Sequence, residues 1–292
     1  MRDRVAGMEG KDRGKATIVM LICALGWSLG GICIKMISWN PLVIIGFRSF
    51  IAGAMLFAYM KKSRMRFVIN KYSIIIGVAL SSTMALYVFA NKMTTAANAI
   101  VIQYTCPVWV LLISAMVFRK RVNKVDAAVV VICVLGIALF FFDQITPGNM
   151  LGNLIALASG VGLAIVMVTN GVAKDSEVQY SGLVLGQVLA CLFGLTGLTQ
   201  GGFSPQPTEI LFIFVLGIVQ MGMPYLLYPY AAKRLKPLAC SLIGMLEPIA
   251  NPIWVAIFYG EVPGIYAFAG GMVIIVTTSI WMIWQSRHPE LQ

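Results

Sequence analysis

Ten long apolar stretches joined by short polar links leave this chain few ways to fold. They cover 16–36, 42–60, 72–91, 96–118, 124–142, 150–171, 179–199, 208–231, 237–259 and 263–285. A helix needs about 20 apolar residues to cross a ~30 Å hydrocarbon core, and each stretch comes close to that length. Only 11% of the residues are charged, against about 25% in soluble domains, and the mean hydropathy is +0.87. A soluble helical bundle would need polar faces that these runs lack. A bilayer solvates apolar side chains but demands that the backbone satisfy itself, which helices do. The expected fold class is therefore an all-α membrane protein with ten transmembrane helices and short links, so that successive helices run antiparallel.

The net charge of +11 would suit nucleic acid if it were gathered on one surface. Here the basic residues form short clusters between apolar runs, the pattern of cytoplasmic turns, so no nucleic-acid partner is expected. With the N-terminus placed in the cytoplasm, the inner segments collect Arg2 to Lys15, Lys61 to Lys71, Arg119 to Lys124, Lys174, Lys233 to Lys236 and Arg287. Outside this set stand only Lys92, in an outer link, and Lys35 and Arg48, within spans. That bias predicts a multi-pass protein of the cell (inner) membrane with both termini cytoplasmic. It divides the chain into a basic tail at 1–15, spans 1–5 at 16–142, spans 6–10 at 150–285 and a second tail at 286–292. The first run lacks a small-residue cleavage site and reads as a retained span. All six cysteines lie in apolar runs without CxxC spacing, so neither a metal nor a disulfide framework is expected.

The two halves resemble each other at a shift of 141 residues. Tyr87 meets Tyr228, Ala90 meets Ala231, Lys92 meets Lys233, Ile102 meets Ile243 and Pro107 meets Pro248. Five spans is an odd number, so the second copy enters the membrane upside down. Inverted repeats of this kind characterise secondary transporters, which bind near the midplane where the halves meet.

Particular segments carry a more specific likeness. The first two spans read ALGWSLGGICIKMISWNPLVIIGFRSFIAGAMLF, with Trp27, Lys35, Pro41 and Arg48. The fourth and fifth hold a small-residue opening, Pro107 and a charged turn; the ninth and tenth hold Glu247-Pro248 and Gly260-Glu261. In order and spacing this resembles the drug/metabolite transporter superfamily, in its EamA-type branch, over nearly the whole chain. Arg119-Lys120 departs from it, since the family often has an acidic residue in that turn. The resemblance implies ten helices, a central substrate cavity and alternating access; the superfamily's substrates include amino acids, other metabolites, sugar conjugates and drugs.

Glu247 is the sharpest candidate for a working residue. It lies ten residues beyond Pro237, about 15 Å along a helix and so near the middle of the core. An ionised acid there costs several kcal/mol unless paired or hydrated. It can couple protons, bind a cationic group or pair with Arg48; the structural alternative is that a protonated Glu247 caps broken backbone. Pro107, Pro248 and Pro252 each remove a helical hydrogen bond and mark expected helix breaks, with Asn251 beside the last. Arg48 lies about 9 Å from the outer end of its span, where it can bind a carboxylate or phosphate or snorkel outward. Lys35 is nearer an end and suits snorkelling. Gln103, Tyr104, Tyr87, Gln220, Tyr225 and Trp27 supply the few polar groups that a mostly apolar metabolite cavity needs, and Asn170 can join them. Tyr228 and Asn91 also suit an interfacial belt.

The function expected is secondary transport of a small metabolite, an amino acid or related polar or aromatic compound. Without a GxxxxGK[ST] loop, no nucleotide or other cofactor is called for. Proton coupling, exchange and facilitated movement stay open, as does a homodimer. An intramembrane enzyme fits poorly: the only histidine is His288, and neither HExxH nor GxSxG occurs. No filter-like repeat suggests a channel. A receptor or scaffold without transport would not need a midplane acid beside broken helix.

Overall fold

The computed structural model describes residues 2–94, 96–118, 122–142, 149–200, 203, 205–259 and 264–287; the side chains of 2–11, 31, 35, 91–92, 96–97, 118, 251–252, 255–256, 259 and 286–287 also lie outside the description. Its helices are α1 (Arg2–Ser28), α2 (Gly30–Lys35), α3 (Pro41–Lys62), α4 (Lys71–Met93), α5 (Ala96–Gln103), α6 (Cys106–Phe118) and α7 (Lys124–Phe140). The second half continues with α8 (Met150–Val172), α9 (Ser176–Leu195), α10 (Pro207–Val215), α11 (Met223–Arg234), α12 (Pro237–Gly244), α13 (Leu246–Tyr259) and α14 (Ile265–Arg287). No strand occurs among the described residues. Eight stretches are long and apolar enough to cross a membrane, and Pro237–Ala250 is a shorter apolar one. The sequence stretch at 124–142 yields the 17-residue α7, and the one at 237–259 is cut in two.

Local chemistry sets the helix starts. Side chains of Asn40, Asn70, Asn123, Asn149 and Asp175 accept from backbone N–H groups of the first turns of α3, α4, α7, α8 and α9, which satisfies donors that a helix leaves orphaned. The basic tail expected at 1–15 is helical from Arg2 and continuous with the first span.

Four membrane stretches are irregular near their middles, and proline explains three. A proline ring clashes with the carbonyl four residues earlier and donates no hydrogen bond. Pro107 thus ends α5 at Gln103, and Pro248 ends α12 at Gly244, each proline then sitting in the first turn of the next helix. Pro224 frees the Gln220 carbonyl, and the backbone around it widens into a π-helical segment, Leu216–Gly222. The fourth break, at Leu29, falls in the Gly26–Gly31 run, where Ser28 Oγ donates to Leu25 O at 2.6 Å, a Gly/Ser kink. At Pro252 the expected break is absent: α13 runs through it.

Hydrogen bonds between links sort the bundle into two faces. On the basic face, Glu177 accepts from Arg66 N at 3.0 Å, Ser181 Oγ accepts from Val68 N at 2.9 Å, and Lys233 donates to Ser176. On the opposite face, Asn40 donates to Gln200 at 3.1 Å, Thr94 donates to Asn153 at 2.7 Å, and Ser38 and Trp39 donate to Glu209. Helix α4 packs on α8 and α9, α3 on α9, α1 on α11, and α7 on α14.

Glycines permit the closest approach. A Cβ on Gly194 would lie 2.6 Å from both Gly46 Cα and Leu42 O, so α3 and α9 touch backbone to backbone, as small residues allow in membranes. Replacing Gly194 by valine is expected to cost about 3 kcal/mol, the upper end for overpacking, and a thermal melt of the purified protein would read the loss.

Candidate functional site: a central polar cavity

The four irregular points face one another. Ser28 and Gly30 beside the α1–α2 joint, Gln103, Tyr104 and Cys106 at the α5–α6 joint, Gln220 and Met221 in the π segment, and Gly244, Glu247 and Pro248 at the α12–α13 joint line a single cavity of about 210 Å³. Irregular backbone at membrane depth is tolerated where it lines such a cavity.

Eight of the nine polar and aromatic candidates from the sequence reach this cavity: Glu247, Arg48, Gln103, Tyr104, Trp27, Tyr87, Gln220 and Tyr225. The ninth, Asn251, has its side chain outside the described residues, as have Asn91, Lys35 and Pro252; the turns Arg119-Lys120 and Gly260-Glu261 fall outside entirely. Asn170 is placed elsewhere. It is buried between α8 and α9, donating to Val166 O at 2.9 Å while Gln179 Nε2 donates to its backbone carbonyl at 2.6 Å. Tyr228, which also suited an interfacial belt, is 2% exposed and lines the cavity.

Two charged side chains divide the site. Arg48 is buried on α3, and its Nε has no hydrogen-bond partner. Glu247, on the first turn of α13, stands close to the Tyr104 hydroxyl and feels the Arg48 charge. No direct ion pair joins them among the described residues, so both keep capacity for a third group. Beside Arg48 stands an aromatic group: the Trp27 ring lies 5.7 Å from that of Tyr225 and 6.0 Å from that of Tyr228, both tilted. Such rings offer apolar surface with a polar edge.

The two cavity glutamines are tethered through their amide nitrogens. Gln103 Nε2 donates to Ser159 Oγ at 2.7 Å, and that hydroxyl donates to Thr83 O at 3.1 Å. Gln220 Nε2 donates to Trp27 O at 3.4 Å, leaving its Oε1 buried and unpaired. Trp27 Nε1 and the Tyr228 hydroxyl are also buried without partners. An unmade buried hydrogen bond costs about 1–3 kcal/mol; four such atoms belong to cavity residues, and others, on Ser49, Asn170, Gln179 and Gln187, lie away from it. Sequence reading missed Ser159 and Thr83, which touch the cavity residues from neighbouring helices; small hydroxyls in apolar runs give no signal of their own.

Apolar clusters surround the cavity. Cys106, Val110, Met167, Leu238, Leu242 and Met245 belong to one that joins both halves of the chain and extends along α7 from Val129 to Phe140. Ile32, Val43, Ile213 and Leu216 form another, and Ala90, Ala99 and Ala156 a third. A further cluster, with Ile45, Leu56, Ile76, Leu80, Val166, Leu183 and Met221, ties α3, α4, α8, α9 and the π segment together.

Known proteins share this plan. The model of the EamA-like transporter family matches the chain twice, over residues 14–142 and 150–283. An uncharacterized transporter of Archaeoglobus fulgidus is 24% identical over 199 residues, covering 66% of this chain and 69% of its own. The uncharacterized transporter YxxF of Bacillus subtilis is 24% identical over 205 residues, covering 65% of this chain and 62% of its own. A solved crystal structure superposes with a TM-score of 0.81 at 18% identity over 94% of this chain and 98% of that one, a likeness of fold. With apolar helices throughout and two family matches that together span nearly its whole length, the chain belongs to the EamA-like transporter family and is a multi-pass membrane transporter.

Proposed function

We propose that the protein crosses the cell membrane ten times as two inverted five-helix repeats, 16–142 and 150–285, with both termini cytoplasmic, and moves a small metabolite by alternating access. The helix breaks support the repeat: Tyr104 and Met245, the interruptions of the fourth and ninth stretches, are related by the same 141-residue shift as the sequence identities. The basic face is then cytoplasmic.

The observation that carries the functional reading is the set of unpaired polar atoms around the cavity: Arg48 Nε, Trp27 Nε1, Gln220 Oε1 and the Tyr228 hydroxyl. Arg48 and the Trp27 N–H together suit a carboxylate, since both donate and one is charged. Glu247 suits an ammonium group or a coupling proton, and the Trp27, Tyr225 and Tyr228 rings suit an apolar or aromatic body. The substrate that satisfies all three is an amino acid or a close relative. Uptake into proteoliposomes of a labelled panel, amino acids first, tests this. Saturable uptake of a carboxylate-bearing compound is expected, and a broad panel giving none with folded protein sinks the reading.

A further inference from the structure

One buried carboxylate takes no part in the cavity. Glu209, in the first turn of α10, is 6% exposed and accepts four hydrogen bonds. Ser38 N and Ser38 Oγ donate to Oε1 at 2.8 and 2.7 Å, while Trp39 Nε1 and Gln206 N donate to Oε2, both at 2.9 Å. Ser38 and Trp39 lie in the link between α2 and α3, so one side chain ties the far end of the first membrane stretch to the start of α10. Hydrogen bonds to an ionised acceptor are roughly twice as strong as neutral ones. Around the clasp, Phe203 stacks on Phe47 with centroids 5.5 Å apart, and Trp39 meets Phe203 edge-on at 4.9 Å.

What the clasp joins is informative. Helix α2 is separated from α1 by the Leu29 break, and α10 from α11 by the π segment, so each is a half-helix jointed at the cavity. Contacts also bridge the joints: Gln220 donates to Trp27 O, and Trp254 Nε1 donates to Ser28 Oγ at 2.8 Å. Two half-helices, jointed at one depth and fastened at their far ends, have the construction of a single hinged panel. The matching link on the basic face is slighter: Glu177 is only partly buried and takes one N–H from the link before α4.

We propose that Glu209 is a positioning residue for transport, fastening α2 and α10 into one wall that moves as a body against the wall formed by α5 and α8. This rests on the alternating-access reading above. The test needs no substrate. Spin labels at Met36 and Leu211 sit within the proposed wall, and one at Met150 sits on the opposite wall, in a variant lacking the six native cysteines and placed in lipid nanodiscs. Pulsed electron–electron distances are then recorded over a range of pH and lipid composition. The expected result is one narrow 36–211 population throughout, with the 36–150 and 211–150 distances shifting together. In Glu209→Ala, the 36–211 distance should gain a second, longer population and the two cross-cavity distances should cease to move together. Glu209→Gln, which keeps the shape but replaces one acceptor oxygen with a donor, should show the same change to a smaller degree and serves if the alanine variant does not fold. A 36–211 distance that already varies in the parent protein overturns the proposal, as does one unaltered in both variants. Cross-cavity distances that never shift in the parent would instead remove alternating access, and the proposal with it.

Discussion

Arg48→Gln is expected to lower kcat/KM for a carboxylate substrate at least about 30-fold, because truncating one partner of a buried charge-assisted contact costs about 2–5 kcal/mol. The loss should be specific. Arg48 is buried with a free Nε at the cavity, so glutamine keeps a polar group there but supplies neither charge nor a forked donor. Arg48→Lys retains the charge and loses the fork, and should recover part of the activity. An amide or ester analogue of the same substrate should lose little between parent and variant. Equal losses for the acid and its neutral analogue would show that Arg48 holds the helices together and does not bind the substrate.

Glu247→Gln is expected to abolish accumulation driven by an imposed pH gradient while sparing exchange of substrate across the membrane. Glutamine keeps the size and an acceptor oxygen beside the Tyr104 hydroxyl. It has no exchangeable acid proton and no charge to balance Arg48, so the carrier cannot alternate between protonated and deprotonated forms. Counterflow, in which labelled substrate enters against unlabelled substrate inside, separates the two activities. Uptake in the parent protein that ignores the gradient would remove proton coupling. A variant dead in both assays would place Glu247 in binding instead, as partner to an ammonium group.

Much of this architecture is written locally, and so could be read from the sequence. The apolar runs announce the helices, and Asn40, Asn70, Asn123, Asn149 and Asp175 start several of them. Pro107 and Pro248 signal broken helices, although each break falls before its proline, because the ring disturbs the turn behind it. The depth of Glu247 along its stretch pointed to a wet, central position, and the structure places it on the cavity. Long-range pairing was not legible. Ser38 and Glu209 lie 171 residues apart, and nothing in either neighbourhood names the other. Ser159 likewise meets Gln103 across two helices. Asn170 shows the converse error: a polar residue inside a membrane stretch can be buried between two helices, its Nδ2 donating to backbone, and never face the cavity.

The π segment at Leu216–Gly222 fixes a phase relation as well as a cavity wall. Relative to an uninterrupted α-helix, one wide turn accommodates an additional residue, and each residue advances the helix by about 100°. Tyr225 and Tyr228 therefore owe their aim at Trp27 to a surplus residue upstream of them. Removing it would let the stretch close into regular helix and turn both rings roughly a quarter-turn out of the cavity, toward neighbouring helices or lipid. The length of this stretch is thus as much a part of the candidate site as the side chains it presents, and chains of the same family that differ here by one residue would present a different aromatic surface to the cavity.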